Sequence, residues 1–209
     1  MIVEYVTSTL VALMVVVDPP ALAPIFIAVT EGMSPAEKRQ VAARASIIAA
    51  LVLAFFAFVG APLLTALAIS IPAFRIAGGV LLFCIAFEMV FERRNQRKST
   101  AATIAVDEDH VRNIAAFPLA IPLMAGPGAI TATILLAAKA SQPTETVALI
   151  AIIICVTLSC YLVCRLSERI SRWLGVTGNI VVTRLLGIIL TAMAVQFVLD
   201  GIKASFLGT

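Results

Sequence analysis

Asp18 is followed at once by Pro19 and Pro20, with Pro24 close behind, inside a run that is otherwise largely apolar from Tyr5 to Val29. Proline supplies no backbone N–H and its ring clashes with the preceding turn, so a helix through this stretch breaks. At membrane depth the released main-chain groups persist only beside protein or a polar cavity. A second stretch, Phe117-Pro118-Leu119-Ala120-Ile121-Pro122-Leu123-Met124-Ala125-Gly126-Pro127-Gly128-Ala129-Ile130-Thr131, repeats the disruption, with Pro127 lying 108 residues after Pro19. The chemistry on offer is recognition rather than bond making. Amides at half-helix N-termini favour a carboxylate, while unpaired carbonyls, hydroxyls and the Asp18 side chain favour an ammonium group or a cation. Gly126 and Gly128 let a ligand approach the backbone, and Ala21, Ala23, Ala125 and Ala129 leave only slightly less room. The pair of breaks therefore suits a small zwitterion, with Asp18, Pro19, Pro20, Ala21, Pro24, Gly126, Pro127, Gly128 and Thr131 as candidate binding residues. Asp18 has a second reading as a cap on the half-helix that follows it. Thr131 and Thr133 can equally bond their own helix backbone.

The elements that must position these residues are set by composition. At 61% hydrophobic and 13% charged, the chain departs far from the roughly 25% charged residues of soluble domains, and its mean hydropathy is +1.08. The apolar stretches are long and do not alternate, which predicts an all-α integral membrane protein rather than a β-barrel. Six spans are expected: about 5–29, 45–68, 74–91, 114–138, 146–164 and 180–199, with the first and fourth discontinuous. Thr30 to Arg44 is expected as a short polar turn containing a helix start at Ser34-Pro35-Ala36-Glu37. Gly175 to Asn179 is expected as a second turn. Leu10 to Val17 followed by Ala21-Leu22-Ala23 imitates a signal peptide. With Glu4 and no basic residue ahead of it, and Pro24 behind it, the segment is instead expected to be the first membrane span. The composition divides the chain into 1–91, a polar linker over 92–113, and 114–209.

With the N-terminus outside, eleven basic residues fall in cytoplasmic loops: Lys38, Arg39, Arg44, Arg93, Arg94, Arg97, Lys98, Arg112, Arg165, Arg169 and Arg172. Arg75, Lys139 and Lys203 fall on the other side. This asymmetry predicts that both termini are external. Each half then runs as broken helix, plain helix and a helix opened by R-x-x-G, at Arg75-Ile76-Ala77-Gly78 and Arg184-Leu185-Leu186-Gly187. Pro19 to Arg75 is 56 residues and Pro127 to Arg184 is 57. Three spans per half is an odd number, so the halves enter the membrane from opposite sides as an inverted repeat. Arg75 and Arg184 are expected as interfacial anchors or as gates. Glu88 and its counterpart Gln196 are further candidates for gating or coupling.

Cys84, Cys155, Cys160 and Cys164 are expected to be small buried hydrophobes. His110 lies among Asp107, Glu108 and Asp109 and is expected in a solvated loop. No metal cluster, cofactor, nucleophile with a base or phosphate loop is expected, so the chain is not expected to be an enzyme. The net charge of +3 is too small and dispersed to suggest nucleic acid.

At these motifs the chain resembles the MarC family of bacterial inner-membrane proteins, which includes the SnatA-type neutral amino acid transporters. The likeness rests on Asp18-Pro19 with Pro24-Ile25-Phe26, and on Pro118-Leu119-Ala120-Ile121-Pro122-Leu123 with Ala125-Gly126-Pro127-Gly128-Ala129-Ile130. Arg75-Ile76-Ala77-Gly78-Gly79 and Val195-Gln196 with Leu199-Asp200-Gly201-Ile202 extend it over the whole chain. Ala21 stands where the family usually has Gly, and Leu22 where many members have Asn. The resemblance implies a secondary transporter of glycine or alanine in the bacterial inner membrane, working by alternating access between helices one and four. An exporter or channel-like protein for another small solute is the alternative, and a membrane protein that docks a partner through the 92–113 linker is a third. Membrane lipid is an expected partner. A coupling cation, Na⁺ or H⁺, and a homo-oligomer are left open.

Overall fold

A computed structural model describes residues 2–91 and 115–207, all of whose regular structure is helical. The predicted linker over 92–113, with His110, lies outside the described residues. α1 (Ile2–Val17) is followed by a 3-10 turn (Pro19–Ala21) and α2 (Leu22–Val29); α3 spans Pro35–Ala66 and α4 Ile71–Val90. A π-helical segment (Ala115–Met124) leads to α5 (Pro127–Lys139), then α6 (Pro143–Arg165) and α7 (Ser167–Leu207). Among the described residues five stretches are long and apolar enough to cross a membrane: 2–29, 35–66, 71–90, 143–165 and 177–206. α5, at 13 residues, is a shorter apolar helix. It occupies, with the π-helical segment, the region where the sequence predicts the fourth span.

Two expected turns are shorter than expected, with the helix start at Ser34-Pro35-Ala36-Glu37 where the sequence puts it. α3 begins at Pro35 rather than near Ala45, because Ser34 and Glu37 form a reciprocal cap: the Glu37 amide donates to Ser34 Oγ at 3.3 Å, and the Ser34 amide donates to Glu37 Oε2 at 2.8 Å. That cap satisfies amides that would otherwise be orphaned and lets the helix start outside the apolar stretch. Ser34→Ala is expected to cost about 1 kcal/mol, read as a lower midpoint of unfolding in detergent. Between Gly175 and Asn179 the chain bends at a single residue. Gly175 adopts φ 59°, ψ −177° and the helix resumes beyond it, since glycine takes that conformation without steric penalty.

The first span lies innermost: 67% of its most apolar stretch is buried, against 22–39% in the other four. α1 packs on α5 and α6, α2 on α6 and α7, and α3 on α5, α6 and the π-helical segment. The most extensive contact joins α4 and α7. Its register is antiparallel: Gly79 meets the Ala194 carbonyl, Gly187 meets Ala86 and Met89, and Gly201 meets Pro72 and Ile76. Glycine at these crossings lets the backbones approach closely, which is the main source of helix association where lipid removes the hydrophobic drive. The interior is filled by Leu13, Leu22, Leu53, Leu82, Met89, Leu119, Leu149 and Ile153. Phe55, Phe58, Phe83, Phe87, Ile154 and Leu158 project outward, as a lipid-facing surface requires. The same inversion corrects the cysteines. Cys160 and Cys164 are buried, but Cys84 and Cys155 are exposed, because an apolar thiol in a membrane helix is as compatible with lipid as with the core.

Candidate functional site

α1 stops at Val17 because the next two amides it would need belong to prolines. The Asp18 amide makes the last bond, to the Met14 carbonyl at 3.0 Å. Asp18 then turns into the left-handed region, at φ 56°, ψ 65°, which Asp tolerates better than most residues. The chain restarts as the 3-10 turn, with the Ala21 amide donating to the Asp18 carbonyl at 3.2 Å.

Asp18 is fully buried and its side chain does not cap the turn it precedes. It points across the bundle, where the Thr183 hydroxyl of α7 donates to its Oδ2 at 3.5 Å. The Asp18 Oδ1 atom has no hydrogen-bond partner among the described residues, and the same holds for the buried hydroxyls of Thr9 and Ser46. An under-satisfied carboxylate in an apolar interior costs several kcal/mol, so its retention is an argument for a bound partner of opposite or protic character.

The second interruption has a different form. The π-helical segment closes with the Ala125 amide donating to the Ala120 carbonyl at 2.8 Å. Gly126 is extended, and Pro127 opens α5 as its first residue. A Cβ at Gly126 would collide with the Pro122 carbonyl oxygen, a main-chain atom that no rotamer change can move. Gly126→Ala is therefore expected to destabilise the fold by about 2 kcal/mol, measured by thermal unfolding in detergent. Gly128 lies against the end of α1: a Cβ there would stand 3.4 Å from Val16 Cγ1 and 2.5 Å from Ile85 Cδ1. The start of α5 thus abuts the last turn of α1 two residues before Asp18. A second tie joins the same two helices at their other ends, where the Tyr5 hydroxyl donates to the Leu136 carbonyl at 3.0 Å.

Of the candidate binding residues, Asp18, Pro19, Ala21, Gly128 and Thr131 are buried, and Pro20 and Gly126 half-buried. Pro24, in the first turn of α2, and Pro127, which opens α5, lie on exposed faces, so neither offers its ring to a ligand in the bundle interior. Thr133 donates to the Ala129 carbonyl at 2.7 Å and so serves its own helix, while the Thr131 methyl packs against Gly78 of α4. Arg75 and Glu88 are half-buried on α4, Arg184 is exposed on α7, and Gln196 Nε2 donates to Asp200 Oδ1 at 2.6 Å. That last bond holds Gln196 along its own exposed helix face. Thr183, Thr9 and Ser46 are polar residues that sequence reasoning passed over. The available signal was a hydroxyl within an apolar run, and for Thr183 its place immediately before the Arg184 motif. Among the described residues no three His, Cys, Asp or Glu side chains gather into a metal site.

A helical, multi-pass membrane protein whose innermost span is interrupted at a buried carboxylate is the class that these features define. The chain belongs to the MarC family of integral membrane proteins, which residues 3–206 match. It is 36% identical to a UPF0056 membrane protein of Pyrococcus abyssi over 94% of this chain and 93% of that one. It is 38% identical to one of Aquifex aeolicus, over 92% and 89%. With the UPF0056 membrane protein YhcE of Escherichia coli the identity is 33%, over 95% and 92%. No solved structure matches the chain.

Proposed function

We propose that this protein is a secondary transporter of small neutral amino acids, of the glycine and alanine class, working by alternating access around its two interrupted spans. The observation that carries the reading is Asp18: a fully buried carboxylate at a helix break, with one oxygen unpartnered and the other at 3.5 Å from Thr183. Such an oxygen is suited to an ammonium group, a coupling Na⁺ or a proton. The helix restarted at Pro127 supplies an amide end for the substrate carboxylate, whereas at the first break the Ala21 and Leu22 amides already bond main-chain carbonyls.

In this reading the π-helical segment and α5 together form the fourth of six spans, and residues 1–91 and 114–209 are inverted repeats. Helix packing supports the symmetry. The contacts of Gly79 with Ala194 and of Gly187 with Ala86 exchange with one another when each residue number is shifted by 108. α1 on α6 has its counterpart in α3 on α5 with the π-helical segment, and α2 on α7 has its counterpart in α4 on α5. A twofold axis in the membrane plane produces this exchange. The described basic residues at the start of α3 and the end of α6 outnumber those at the opposite face, and that asymmetry supports external termini. The relative in Escherichia coli supports residence in the bacterial inner membrane.

The test is transport by purified protein in sealed vesicles. Labelled glycine or alanine should accumulate above empty vesicles, and an ionophore for sodium or protons should dissipate the gradient. Failure to move any small neutral amino acid in either direction would exclude the proposal.

A further inference from the structure

A crevice of about 680 Å³ opens at the membrane face where α3 begins and α6 ends. Among the described residues its lining brings together Lys38, Arg39, Arg165, Arg169 and Arg172 with a single carboxylate, that of Glu168. Glu168 is engaged: Lys38 Nζ lies 3.4 Å from its Oε1 and bridges the start of α3 to the start of α7. Five cations and one carboxylate leave a surplus of four positive charges around a concavity. Positive charge spread over loops would set topology equally well, so its concentration in one crevice is a separate fact. Phe26, Leu162 and Leu166 form the apolar part of the wall, and the last two are 48% and 44% exposed at the end of the α6 span. The Tyr161 hydroxyl faces the Arg165 and Arg39 guanidinium groups.

We infer that this crevice seats the phosphate headgroup of an anionic glycerophospholipid, whose acyl chains run down the outward face of α6. Guanidinium forks match phosphate oxygens bidentately, and basic pockets between membrane helices at an interface favour anionic headgroups. A soluble phosphate ester would use the arginines but leave Leu162 and Leu166 facing water. The lipid uses both parts of the wall.

Trp173, the only tryptophan in the chain, is 92% exposed on the adjoining stretch of α7 and reports on the lipid beside it. Full-length protein is reconstituted into phosphatidylcholine bilayers in which an equal small fraction of lipid is brominated phosphatidylglycerol or brominated phosphatidylcholine. Quenching of Trp173 should show about fivefold enrichment of the anionic lipid, the order expected for one net charge near the surface. Arg39→Gln combined with Arg165→Gln should abolish the enrichment, the corresponding double lysine variant should retain part of it, and Lys139→Gln should leave it unchanged. Glycerol phosphate added at millimolar concentration should not displace the lipid. Equal quenching by both lipids, undiminished enrichment in the double glutamine variant, or full displacement by glycerol phosphate would overturn the inference.

Discussion

Asp18→Ala is expected to lower glycine or alanine uptake by about two orders of magnitude while leaving folded protein in the membrane. A charge-assisted contact contributes about 1.5–3 kcal/mol, or roughly 10- to 150-fold in occupancy. Structural cost is small because two effects oppose each other. Alanine at φ 56° costs about 1 kcal/mol, but its substitution removes a buried carboxylate with an unpartnered oxygen. Asp18→Asn isolates the charge, since asparagine tolerates the same backbone and nearly matches the volume. Both variants should elute as monodisperse protein in detergent and fail in vesicle uptake. An Asp18→Asn protein that transports at the wild-type rate would show that the negative charge has no part in the cycle.

Gly128→Leu should have a comparable effect by a different route. The first added carbon already lies 2.5 Å from Ile85 Cδ1, 3.4 Å from Val16 Cγ1 and 3.5 Å from Leu82 Cδ2. Ile85 can swing its terminal methyl away, so Gly128→Ala should retain measurable uptake. Leucine adds three further carbons against three walls, which forces the start of α5 away from α1 and α4 at a cost of about 1–3 kcal/mol. Insertion should persist because the helix becomes more apolar, not less. Uptake in vesicles, compared with the amount of protein reconstituted, separates the two variants. Wild-type uptake by Gly128→Leu would mean that the contact between the two interruptions has no bearing on transport.

Features governed by neighbouring residues were legible in the sequence. Asp18-Pro19-Pro20 predicts a break because the missing amides belong to those prolines, and α1 ends one residue earlier. Ser34-Pro35-Ala36-Glu37 predicts a capped helix start, although hydropathy placed the span itself ten residues later because the first turns of α3 are charged. Gly175 was legible as an interruption but not as a single-residue bend. The helical pitch from Ala115 to Met124 was invisible, since hydropathy is indifferent to whether a bond reaches back four residues or five. Long-range partners were also out of reach: Thr183 meets Asp18 across 165 residues of chain. The exposed Cys84 and Cys155, and the outward Pro24 and Pro127, show the converse difficulty. In lipid an apolar residue fits equally well on either side of a helix, so residue type alone does not say which way it faces.

The central proposal, that the two interruptions enclose one substrate chamber, is tested most directly by protection from thiol labelling. Cys84, Cys155, Cys160 and Cys164 are replaced by alanine, and a single cysteine is introduced as Ala21→Cys or Ala125→Cys, one beside each interruption. Saturating glycine should slow the reaction of both with a membrane-permeant maleimide, and should not slow it at a lone Cys84 on the lipid face. Unchanged labelling at both positions in the presence of glycine and of alanine would contradict the account.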